Sequence, residues 1–218
     1  MVSHHPPSIH KSGLCRQQLV DITWGLFIVA GMKQEIYISL DIETDGPIPG
    51  VYSMLSLGAA AFDPTGTEIN TWYANFDLLP GAEQHPDTMK FWSDNQSYYD
   101  ITRVDTQAPD QAMRDFTTWV QSLPGAPVAV AAPAGFDFTF VYWYLVKFTG
   151  KSVLSFSCVD MKTLAMSLLN KPYKQSIKRN YPKHWFAADL PHTHHALDDA
   201  REQGHLFMNM LKDLRNDI

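Results

Sequence analysis

A mixed five-stranded α/β sheet flanked by helices on both faces is the fold class this sequence predicts. Two observations carry that expectation. Three turn-bounded apolar or alternating runs follow one another between Glu35 and Phe76, and short apolar runs alternate with helical spacings after them. The chain has 218 residues, 45% of them hydrophobic and 18% charged, enough for one domain with a full core.

In chain order, "IYISLDI" is an apolar run closed by turn residues, and "SMLSLGAAAF" is a second, ended by the turn Asp63-Pro-Thr-Gly66. "TEINTWYANF" alternates and pairs with the second run as a hairpin. A Pro-rich, aromatic stretch follows. In "DQAMRDFTTWVQSL", Ala112, Phe116, Trp119 and Val120 stand at helical spacing, and "PVAVAA" is a short buried strand of the parallel type. "FTFVYWYLVKF" is predicted helical, "SFSCVDM" extended and "KTLAMSLL" helical. In the last segment Leu197, Ala200, Gly204, Phe207, Leu211 and Leu214 mark one helix face.

Residues 35–218 are therefore expected to form the functional domain, with 1–34 a disordered or loosely packed extension and Met32 a natural start. The run "ITWGLFIVAG" is too short to span a bilayer and is a poor secretory signal, so no membrane association is expected. Cys15 and Cys158 make no zinc spacing, which points to free thiols in a reducing cytoplasm. A net charge of −6 excludes coating of nucleic acid by phosphate neutralisation alone. Contact with nucleic acid requires a local basic patch or bound cations.

Three acidic positions carry the chemistry. Asp41 and Glu43 in "DIETDG" are i and i+2 on a strand, so both side chains leave the same face near its carboxyl end. Two anions there resist desolvation unless something offsets their charge, and a metal ion would. Asp-x-Glu is a weak motif alone. Asp137 opens the helix after the parallel strand, a place where a carboxylate is also an ordinary first-turn residue. In "HTHHALDDAREQ", at about 100° per residue, Asp199 lies roughly 110° from the centre of the apolar stripe and Asp198 roughly 150°. Asp199 borders the packed side and Asp198 faces water. His192 is read as an exposed polar residue; His194 and His195 are near enough to Asp199 to share its site.

Taken in order, "DIETDG", "FDFTF" and "HHALDDA" resemble the DEDDh group of metal-dependent 3'-5' exonucleases, over about residues 35 to 215. The resemblance implies a ribonuclease H-like fold, with metal carboxylates on Asp41, Glu43, Asp137 and Asp199 and the general base on His194. It further implies two ions, Mg²⁺ or Mn²⁺, a single-stranded RNA or DNA substrate with a free 3' end, release of nucleoside monophosphates, and a homodimer as one possible assembly. Two features depart from the pattern. Ala132 and Pro133 stand where the family often has His-Asn, which puts substrate hydrogen bonds there in doubt. A sister group also places its base four residues before the last Asp, here His195, and helix geometry favours that i, i+4 relation. The resemblance favours His194.

Substrate contacts are expected from residues 170–185, "NKPYKQSIKRNYPKHW". Lys174, Lys178 and Arg179 would grip phosphates, and Tyr173, Tyr181 and Trp185 would stack on bases. Leu55 or Met54 could wedge against the terminal base, although core packing of the second strand competes with that role. Phe91, Trp92, Tyr98 and Tyr99 could line the cleft, fill the core or meet a second subunit. The rival from another class is a catalytically silent ribonuclease H-like module that binds nucleic acid or a polymerase; a complete acidic set beside phosphates argues against it.

Overall fold

The computed structural model describes residues 33–187, 190 and 193–216. Most of the leader and His192 lie outside them, as does Cys15. Five strands, β1 (Glu35–Thr44), β2 (Met54–Phe62), β3 (Glu68–Asn75), β4 (Ala126–Ala131) and β5 (Val159–Asp160), form one sheet in the order β3-β2-β1-β4-β5. β1 to β3 are an antiparallel meander, and β4 and β5 add in parallel. The predicted mixed sheet is thus observed, with its last strand reduced to two residues.

The helices are α1 (Pro86–Asp94), α2 (Gln96–Thr102), α3 (Pro109–Ser122), α4 (Asp137–Thr149), α5 (Met161–Leu169) and α6 (Ala196–Asn216). α1 and α2 occupy the stretch that the sequence left without an element. Along β1 the even residues Ile36, Ile38, Leu40 and Ile42 enter a core with Phe116, Val120, Phe140 and Tyr144 of α3 and α4. Tyr37 enters the opposite core with Leu206, Phe207 and Met210 of α6. Period-two alternation therefore turns Ser39, Asp41 and Glu43 toward the α6 side.

Close packing of α6 depends on small residues. A Cβ at Gly58 of β2 would stand 2.2 Å from the Ala196 backbone, and one at Gly204 would stand 2.1 Å from the Phe62 ring. The buried face of α6 differs from the predicted stripe: Ala200, Gly204 and Phe207 are buried as expected, Leu197, Leu211 and Leu214 are half-buried, and Ala196, Leu206, Met208, Met210 and the polar Glu202 and Gln203 are buried in addition. Gln203 Nε2 donates to Ser39 Oγ and to the Leu40 carbonyl, both at 3.0 Å, which satisfies a buried amide and registers α6 against β1.

Candidate active site

β1 outruns β4. Their pairing ends at Ser39 and Val130, so Asp41 and Glu43 stand beyond the last parallel rung, and the β1–β2 register shifts between Glu43 and Thr44. Strand ends of this kind leave a crevice for ligands, and a register shift re-aims side chains at its rim. The following loop is fixed by Asp45, whose buried carboxylate accepts the Ser53 amide at 2.5 Å while its own amide donates to the Ser53 carbonyl at 3.1 Å.

Glu43, His194 and Asp199 each offer a ligand atom, and these atoms lie within 4.8 Å of one another. Asp199 is 2% exposed and Asp137 5%. Desolvation by burial is the largest influence on Asp41, Glu43 and Asp137, and repulsion from neighbouring carboxylates adds to it at Asp41 and Glu43. Asp41 is held well above the usual carboxylate range by burial, then by Asp137, Glu43 and Asp199, with Lys178 pulling the other way. Glu43 is pushed up to about 8 by burial, then by Asp199 and Asp137. Burial raises Asp137 to about 7 against the opposing pull of its own amide and that of Ile42. Asp199 accepts the Thr193 amide at 2.7 Å and the His194 amide at 2.9 Å, which folds the segment before α6 back over its first turn.

The adjacent histidines part company. His194 has a left-handed backbone, φ 55°, and its ring meets Phe91 and Tyr98 edge-on at 5.4 and 5.5 Å between centroids. His195 instead stacks on Tyr73 at 4.6 Å, with Nδ1 buried and 3.4 Å from Asp198. Asp198 is exposed, as its helical angle predicts.

Other expectations need correction. Leu55 is fully buried in β2 and its carbonyl accepts from Phe76 and Arg103, so its side chain does not stand in an open cleft to meet a base. Met54 is likewise in the core. Trp185 is 1% exposed and gives its indole N–H to Asp213 at 2.6 Å, which removes it from any stacking surface. Lys174 and Arg179 are exposed, whereas Lys178 Nζ pairs with the buried Glu202 at 2.5 Å, one turn beyond Asp199.

Oxygen-rich, mutually repelling carboxylates with an imidazole beside them fit hard divalent cations, whose charge would offset the repulsion. Residues 36–211 match the family model described as the 3'-5' exoribonuclease Rv2179c-like domain. The chain belongs to this family. It is 30% identical over 183 residues to the Escherichia coli 3'-5' DNA exonuclease Cap18, covering 80% of this chain and 90% of that one. The exonuclease shares its fold with the nuclease domain of 3'hExo, a DEDDh family member bound to rAMP, at TM-score 0.59 and 12% identity over 83% of this chain and 93% of the other. It also resembles S. pombe Pop2p in a Mg²⁺- and Mn²⁺-bound form, at TM-score 0.55 and 16% identity over 88% and 87%. The ribonuclease H-like fold and the exonuclease class expected from the sequence are borne out.

Proposed function

We propose that this exonuclease removes nucleoside monophosphates from the free 3' end of single-stranded RNA or DNA, using Mg²⁺ or Mn²⁺ held by Asp41, Glu43, Asp137 and Asp199. The observation that carries the reading is the meeting of Glu43, Asp199 and His194 within 4.8 Å, in an electrostatic cluster shared with Asp41 and Asp137. Two bound divalent ions would supply Lewis-acid polarisation of the phosphodiester and neutralise the charge that develops on it. The protein's own part is to keep the carboxylate oxygens converged, so that bound cations would favour their charged forms, and to aim one base. His194, as the general base, takes the proton of the attacking water. Its neighbour His195, committed to Tyr73, supports the start of α6.

Lys178 belongs to this reading as the cation closest to Asp41 in effect, and Lys174 and Arg179 as exposed phosphate contacts. Relatives pull the choice of sugar in two directions, since the family model names an exoribonuclease and Cap18 is a DNA exonuclease. The reading places the enzyme in the cytoplasm; among the described residues no helix is long and apolar enough to cross a membrane. A homodimer remains the assembly to test by sedimentation.

Matched RNA and DNA oligomers, labelled at the 5' end so that each shortened product stays visible, test the proposal with and without Mn²⁺. A descending ladder with metal, abolished by Asp41→Asn, is expected. Absence of metal-dependent shortening on both polymers would overturn it in favour of the silent module.

A further inference from the structure

Between β3 and α3, the short helices α1 and α2 carry an aromatic group that the carboxylate chemistry does not use. Trp92 is 2% exposed and donates its indole N–H to the Thr44 carbonyl at 2.8 Å, immediately after Glu43. Phe91 packs on Trp92 at 5.1 Å between ring centroids, and Tyr99 does so at 5.8 Å. This arrangement ties both helices to the end of the strand that carries Asp41 and Glu43. From that mount Phe91 and Tyr98 reach the His194 ring, with interplanar angles of 76° and 65°. Edge-to-face contacts of this kind restrict ring rotation.

His194 needs such restraint. It lies outside α6, on a backbone at φ 55° that L-residues avoid, and its amide is held by Asp199 at 2.9 Å. Backbone and amide place its Cα, and the two aromatic rings bear on the imidazole itself. We infer that Phe91 and Tyr98 are positioning residues for His194, gripping its ring so that the base keeps its aim relative to the carboxylates of β1. The inference rests on His194 being the general base. Phe91 is 40% exposed, so the same ring could instead stack on a substrate base, and the two roles make different kinetic predictions.

The test measures kcat and KM with Mn²⁺ on a short oligonucleotide for Phe91→Ala/Tyr98→Ala, for Tyr98→Phe, and for the alanine pair in a His194→Ala background, under excess enzyme where turnover is slow. Loss of aim should lower kcat about 10- to 100-fold with KM within about twofold. Tyr98→Phe, which keeps the ring, should be near wild type. In the His194→Ala background the alanine pair should cost nothing more. A raised KM with kcat intact would overturn the inference in favour of base stacking, and an equal loss in both backgrounds would overturn it in favour of general support of the fold. Should the alanine pair fail to fold, Phe91→Leu/Tyr98→Leu keeps the packing volume without the ring quadrupoles and faces the same criteria. Full activity of His194→Ala would remove the base assignment itself, whereas an inactive His194→Ala beside a fully active aromatic pair would remove only the positioning role.

Discussion

The acidic pocket and the basic segment of residues 170–185 are built in opposite ways. Asp41 and Glu43 ride on the end of a strand paired with β2, Asp137 and Asp199 on the first turns of packed helices, and burial leads the upward shifts of Asp41, Glu43 and Asp137. The basic segment consists of three single 3₁₀ turns, with Lys174, Arg179 and Lys183 exposed. A site that performs chemistry must hold its groups against their own repulsion, and regular elements do so. A surface that meets a flexible polymer needs charge more than shape. Lys178 joins the two regions through its pair with Glu202.

The largest effect that separates them is chemical. Asp41→Asn should lower kcat by at least about 10³-fold while leaving oligonucleotide binding nearly intact, as single-turnover and binding assays would show. Next comes the scaffold. Gly58→Ala should push α6 off β2, cost about 1–3 kcal/mol or more in urea unfolding, and reduce activity because Asp199 moves with the helix.

The pocket should also register in stability against pH. Glu43 holds its proton up to about 8 when folded, against an ordinary 4.5. The metal-free native state therefore binds protons that the unfolded chain has released, and its stability falls as pH rises from about 4.5 through about 8. Thermal melts should show Mn²⁺ raising Tm more at pH 8 than at pH 6, and Glu43→Gln flattening the metal-free pH dependence. The smallest effect belongs to the basic segment. Lys174→Glu/Arg179→Glu should raise KM about three- to tenfold at low salt and less at high salt, with kcat preserved. An unchanged KM would leave only Lys178 of that segment in the proposed interface.

Much of this was legible from spacing. The i, i+2 relation of Asp41 and Glu43, the helix-opening position of Asp137 and the helical angle of Asp199 all placed side chains correctly, because each depends on the period of one element. Features that depend on two distant elements were not legible. α1 and α2 are 9 and 7 residues long, too short for a 3.6-residue pattern to declare itself, so the partnership of Phe91 and Tyr98 with His194 could not be read. Leu55 was open to a wedge role only because nothing in the sequence says that both faces of β2 are covered. Glu202 and Gln203 are polar residues on the buried face of α6, each satisfied by a partner far away in the chain.

Gln203 spans 164 positions to reach Ser39. A ribosome must therefore have extruded nearly the whole domain before the first and last motifs can meet, and during synthesis the nascent polypeptide carries Asp41 and Glu43 without His194 or Asp199. Assembly of the proposed site therefore waits for the final helix, and a translation product cut short ahead of it would carry only part of the set.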